Sequence, residues 1–267
     1  MRAAGHAVKL HYVPANTGLQ WVRLGLQTFW RQPLAMVGLF FLFMLVLAVL
    51  SIVPLLGTVL ALGLLPAATL GLMAATREAA NGKFPHPTVL ATGLRAGPER
   101  LRAMLVLGGL YAGGFLGAMG LSAIMDGGLF ASLYLGGTPL KAEDLQQPEF
   151  QQAMWLFMLM YLPLSMLFWH APALVHWHGI SPIKSLFFSL MACWHNKWAL
   201  SVFMLAWGGI FIAAGMALSV VGLLLGGEAA LSVLVLPLAL LMAAMFFTSL
   251  YFTFRDSFSA SDDPATD

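Results

Sequence analysis

The chain has 267 residues, 60% apolar and 9% charged, with a mean hydropathy of +0.85 and a formal net charge of +2. Soluble domains carry about a quarter charged residues, so this composition excludes an ordinary globular domain and makes lipid the solvent. Cys193 is the single cysteine, which excludes an intrachain disulfide and a Cys-based zinc site.

Met1 to Pro14 reads as a short solvated basic leader holding Arg2, His6, Lys9 and His11. Asn16 or Thr17 is placed to cap a helix over Gly18 to Arg31. Gln20, Arg23, Gln27 and Arg31 recur at steps of three and four, with Leu19, Val22, Leu26, Phe29 and Trp30 on the other side. Such an amphipathic helix, with Trp21 and Trp30 in it, suits the headgroup region; the alternative is a cytosolic helix packed on the bundle.

Gln32 to Thr76 carries no charged side chain. About 45 residues suffice for two crossings of a ~30 Å hydrocarbon layer at roughly 20 residues each. Pro54-Leu55-Leu56-Gly57 marks the turn, since Pro fixes φ and Gly accepts positive φ. The first crossing is expected over 34–52 and the second over 58–75. The first apolar run is too long for a signal-peptide core and no cleavage pattern follows, so it is expected to stay as an anchor.

Arg77 to Pro87 is a basic connection, and Thr88, Thr92 and Arg95 share one face of the segment after it. Pro98, with Glu99 behind it, opens a third crossing over 101–125. This helix holds Gly109, Gly113 and Gly117, two overlapping GxxxG pairs expected to serve packing within the chain rather than dimerisation. Asp126 to Gln152 reads as the longest loop, acidic apart from Lys141, with Gly136-Gly137 among its turns. A fourth crossing over 153–175 should kink or fray at Pro163 and Pro172.

Ser181-Pro182 starts a further amphipathic helix. Ser181, Ser185, Ser189 and Asn196 fall on one side of it; Ile183, Leu186, Phe187, Leu190, Met191 and Trp194 fall on the other. Crossings over 198–225 and 230–254 follow, and Ser257 to Asp267 reads as a mobile polar tail. The fold class is therefore all-α: a polytopic membrane protein with six transmembrane helices and basic amphipathic interfacial helices on the cytoplasmic side. Its parts are a leader and interfacial helix (1–33), a membrane domain (34–254) and a cytoplasmic tail (255–267).

Twelve of the thirteen Lys and Arg fall on one side of six crossings, leaving Lys141 alone on the other. By the positive-inside rule both termini are cytoplasmic. Three times an amphipathic segment precedes a hairpin, and Leu24 to Phe40 resembles Phe188 to Met204, with Trp30-Arg31-Gln32 aligned on Trp194-His195-Asn196. This fits three parallel repeat units, or the plain alternation of any multi-pass chain.

His170, His176 and His178 invite a metal site, but on a helix only 170 and 178 come near one face and no carboxylate lies within a crossing to complete a ligand set. They read instead as residues of the membrane edge beside Trp177, and no metal or cofactor is expected. No intramembrane charge suggests an ion path, although Thr69, Ser122, Ser165 and Ser219 could line a polar one. No nucleophile elbow, phosphate loop or dinucleotide fingerprint is present, so no catalytic residue is assigned. Arg23, Arg31, Trp21, Trp30, Lys184, Trp194 and Lys197 are the candidates for lipid and interface contact. The basic segments are too sparse for nucleic acid. The expected partners are the phospholipid bilayer and, beyond it, other membrane proteins or further copies of the chain.

At "VPANTGLQWVRLGLQTFWRQPLA", "PLLGTVLALGLLPAATLGLMAATREAANGKFP" and "FWHAPALVHWHGISPIKSLFFSLMACWHN" the chain resembles a family of multi-pass inner-membrane proteins of betaproteobacteria. The helix-then-hairpin pattern is also distantly similar to the membrane domains attached to some bacterial glycerophosphodiester phosphodiesterases. The resemblance implies a helical inner-membrane fold and carries over no activity and no catalytic residue. The expected role is a non-enzymatic protein that meets lipid or partner proteins; the alternative is a transporter or channel for a small or lipid-like solute.

Overall fold

A computed structural model describes residues 8–135, 141, 143–225 and 227–260. Arg2, His6, the Gly136-Gly137 turn and the tail beyond 260 lie outside the described residues. Ten helices are present among them: α1 (Thr17–Arg31), α2 (Pro33–Ser51), α3 (Leu56–Ala80), α4 (Pro98–Asp126), α5 (Leu129–Tyr134), α6 (Pro148–Phe168), α7 (Ala171–His178), α8 (Pro182–His195), α9 (Lys197–Leu225) and α10 (Glu228–Ser257). Six spans are long and apolar enough to cross a membrane: α2, α3, α4, α6 with α7, α9 and α10. Their outer faces show side chains such as Leu205 and Ile124 more than three-quarters exposed, as lipid permits and water does not.

Proline and glycine set most boundaries. Pro33, Pro98, Pro148 and Pro182 each stand in the first turn of a helix, where a missing N–H costs nothing. The fourth crossing breaks at Trp169-His170, just ahead of Pro172 in the first turn of α7, while Pro163 stays inside α6. The first hairpin turn differs from expectation. Leu55 holds the positive φ of 59°, and Gly57 lies inside α3. Gly57 is needed for space: a methyl there would overlap the Leu50 carbonyl oxygen. The expected acidic loop contains the short helix α5. Asp126 accepts from the N–H groups of Gly128 (2.9 Å) and Phe130 (2.6 Å), so it organises the start of that helix.

Where they are described, at residues 8–14 and 257–260, the leader and tail form structure that the sequence did not lead one to expect. Strand β1 (Val8–Leu10) pairs antiparallel with β2 (Phe258–Ala260), Leu10 opposite Phe258. Buried Asn196 locks this ribbon to the bundle. Its Oδ1 accepts from Val13 N–H at 3.0 Å, and its Nδ2 donates to His11 O at 3.0 Å and Ser257 Oγ at 3.3 Å.

α3 is the most enclosed crossing. Its run Ala67, Ala68, Leu70, Gly71, Leu72, Met73, Ala74, Ala75, Thr76 is buried throughout, and small residues let α2, α4, α10 and the 3-10 turn Pro87–Ala91 close around it. Several close approaches use glycine: Gly108 of α4 lies against the Gly63 backbone, Gly18 of α1 against Ala199 of α9, Gly71 against Leu90, and Gly25 of α1 against Ser249 of α10. The GxxxG glycines correct the expectation of packing within the chain. A methyl at Gly109, Gly113 or Gly117 would meet nothing within 4 Å, because α4 turns that face outward.

The repeat has a structural counterpart. α1 and α8 each stop one residue short of a crossing, at Gln32 and Asn196, with Trp30 and Trp194 alike exposed. Each carboxamide binds chain that leaves its own hairpin: Gln32 Nε2 donates to Lys83 O at 3.2 Å, as Asn196 does to Ser257. The lead segments pack in a ring: α1 on α9 and α10, the Pro87–Ala91 turn on α3, and α8 on α6. The middle unit departs from the other two by having a 3-10 turn where they have a helix. The returning helices α3, α6 and α10 each contain an internal proline, Pro66, Pro163 and Pro237.

Candidate functional site

The break between α6 and α7 separates the three histidines. His170 is fully buried, its ring 6.0 Å from Phe254 and 5.5 Å from Phe258, and its backbone N–H donates to Ser189 Oγ at 2.9 Å. His178 also meets Phe254, at 5.8 Å. His176 lies apart from them, lining a basin with Arg95 and Arg100. No described residue satisfies Nδ1 of His170 or of His176. Among the described residues no group of three His, Cys, Asp or Glu could hold a metal ion. His170 and His178 share Phe254 as a neighbour, but His170 stands at the break before α7 rather than on one helix with His178, and it sits inside the protein rather than at its edge.

The interface candidates divide by face. Trp21 is corrected: it is fully buried, its Nε1 donates to Asp256 Oδ2 at 2.9 Å, and its ring meets Phe203 edge-on. The physical reason is the face that α1 turns inward. Thr17, Gly18, Trp21, Val22, Gly25, Thr28 and Phe29 are its buried residues, and α1 packs along α9 and α10 instead of floating on lipid alone. Small residues allow that approach, and hydrophobicity marked the buried face only in part: Val22 and Phe29 of the apolar side are buried, while Leu19 and Trp30 are exposed. Arg23 and Trp30 are exposed, and Arg31 donates to Ala80 O at 3.3 Å, a cation at the carbonyl end of α3.

α8 is turned the same way. Its buried residues are Ser185, Ser189, Ala192 and Cys193, whereas Ile183, Phe187 and Trp194 are exposed. Ser189 Oγ donates to Met166 O at 2.7 Å, which satisfies a carbonyl freed where α6 ends. Burial pushes the Cys193 thiol up to about 12, so it stays an unreactive thiol at neutral pH. Lys184 is exposed, and Lys197 Nζ lies 5.0 Å from the Trp194 ring and 5.9 Å from Trp198.

Beside a cleft of about 260 Å³ lined by Ser165, Met166, Cys193 and Lys197, three concavities stand out among the described residues. A groove of about 930 Å³ runs between α1 and α9, floored by Leu19, Val22, Leu26, Trp30, Ala206 and Ile210 and edged by Arg23, Gln27 and Arg31. A second, of about 250 Å³, lies where the three returning helices meet, with Thr69, Ser165 and Phe247 among its walls. The Tyr111 and Tyr161 hydroxyls, 3.3 Å apart, close one side of it. Thr69 and Ser165 of the suggested polar path both line it, although Ser165, like Ser122 and Ser219, donates to a carbonyl of its own helix. The third, a basin of about 440 Å³, joins Glu78, His86, Thr88, Thr92, Arg95, Arg100 and His176. Thr88, Thr92 and Arg95 were visible as one face; that His176 comes to them from far along the chain was not.

A probable inner membrane protein of Burkholderia thailandensis is 36% identical to this chain over 261 residues, covering 97% of each. No protein-family model matches the chain, and no solved structure matches it.

Proposed function

We infer a role from one premise: the chain belongs to the family of multi-pass inner-membrane proteins that includes the Burkholderia protein. We propose that it is a non-enzymatic lipid-binding protein of that membrane, holding an anionic phospholipid in the groove between α1 and α9. One observation carries this. The groove floor is apolar over Leu26, Trp30, Ala206 and Ile210, as an acyl chain requires, and Arg23 and Arg31 stand at its rim, as a phosphate requires. The basic end of the bundle faces the cytoplasm on this reading. Apart from Lys141 and the undescribed Arg2, every Lys and Arg lies in segments at the end where α2, α4 and α9 begin. The proposal extends to the distant likeness with the membrane domains attached to glycerophosphodiester phosphodiesterases, as a shared lipid-facing scaffold.

Native mass spectrometry of detergent-purified protein tests it. Phosphatidylglycerol should stay bound at energies that strip phosphatidylcholine, and Arg23→Gln should weaken that preference. Equal retention of both lipids would remove the proposal. A second reading, transport of a small solute, draws on the cavity between the returning helices and their three internal prolines. At about 250 Å³ it lies below the 300–1,000 Å³ usual for ligand sites, which ranks transport second; solute flux in proteoliposomes separates the two.

A further inference from the structure

We propose that the basin between the Pro87–Ala91 turn, the start of α4 and the end of α7 is a binding site for a phosphate group. It is distinct from the α1–α9 groove and does not depend on that groove holding lipid. The donors converge from three parts of the chain: Arg95 after the turn, Arg100 in α4, and His176 in α7. Neither guanidinium makes a salt bridge among the described residues, although Glu78 also lines the basin. Two unpaired guanidiniums against one carboxylate leave the basin cationic, and their fork of N–H groups matches phosphate oxygens.

His86 adds a donor of defined sense. Its Nδ1 accepts from the Thr88 backbone N–H at 3.4 Å and lies 3.2 Å from the Thr88 hydroxyl. Nδ1 is therefore the unprotonated nitrogen, and Nε2 carries the proton as a donor. His176, half-buried, lines the same basin and has no described partner for its Nδ1. Donors arriving from several directions suit a tetrahedral anion better than a planar carboxylate. The basin holds about 440 Å³, room for a phosphate with a small alcohol attached. It also lies where α3 and α7 end and α4 begins, the level at which lipid headgroups sit, so the phosphate belongs to a soluble ester or to a headgroup.

The test uses the full chain in phosphatidylcholine nanodiscs. One arm titrates inorganic phosphate and glycerol 3-phosphate by calorimetry; the other adds phosphatidic acid to the disc and scores lipid retention by native mass spectrometry. Saturable binding in the first arm identifies a soluble phosphate, and selective retention in the second alone identifies a headgroup. In either arm Arg95→Gln with Arg100→Gln should weaken binding about tenfold or more. The lysine pair R95K/R100K should be intermediate, since the charge stays and the fork is lost. Both arginines are exposed, so these variants keep the fold. Both arms are run on an Arg23→Gln background, which weakens lipid retention in the α1–α9 groove, so that the further loss on Arg95→Gln with Arg100→Gln reports the basin alone. No saturable binding in either arm, or equal binding by wild type and the double glutamine variant, would overturn the proposal.

Discussion

Gly108 and Gly109 are neighbours inside α4, yet alanine at the two positions should have opposite effects. A methyl on Gly108 would overlap the Gly63 carbonyl oxygen and lie 3.0 Å from its carbon and 3.3 Å from the Gly63 Cα. Those are backbone atoms, so no rotamer clears them and α3 must part from α4. Overpacking of this kind costs about 1–3 kcal/mol. A methyl on Gly109 meets nothing within 4 Å. Alanine gains about 1 kcal/mol over glycine in a helix interior, and that gain applies equally to both sites. The two variants should therefore differ by about 1–3 kcal/mol, all of it from the face each glycine occupies. At about 2–4 °C per kcal/mol for a chain near this size, G108A should melt several degrees below G109A. G109A should equal or exceed wild type. Heating in mild detergent, followed by size-exclusion of the surviving monodisperse fraction, reads the difference. Equal shifts, or a greater loss for G109A, would refute the placement of the GxxxG face outward.

Asn196→Ala should remove three hydrogen bonds from a buried position and destabilise by about 2–4 kcal/mol. Limited proteolysis would show the β1–β2 ribbon released, and an unchanged digestion pattern would count against Asn196 as its latch. Trp21→Phe should cost about 1–2 kcal/mol, because it strips a donor from the Asp256 carboxylate while preserving most of the ring packing. A melting curve identical to wild type would argue that Trp21 lies outside the core. For orientation, alkaline phosphatase fused at Lys141 should be active and a fusion after Ser257 inactive; an inactive Lys141 fusion would reverse or break the proposed topology.

A charge-poor sequence with six apolar runs was enough to establish the solvent and the number of crossings, because twenty uncharged residues in a row have no stable place in water. Prolines located the starts of α4 and α8 and the break before α7, since the missing N–H acts locally. The tertiary structure alone decided which way α1 and α8 face. In lipid both sides of a helix are surrounded by hydrocarbon or apolar protein, so hydrophobicity no longer marks the inside. Close approach and polar satisfaction do that instead, which is why Gly25, Ser185 and Ser189 face inward while Trp30, Phe187 and Trp194 face out. For the same reason the GxxxG spacing of α4 was readable but its direction was not. His176 reached Arg95 and Arg100 only through packing between segments some eighty residues apart, a proximity that no local pattern encodes.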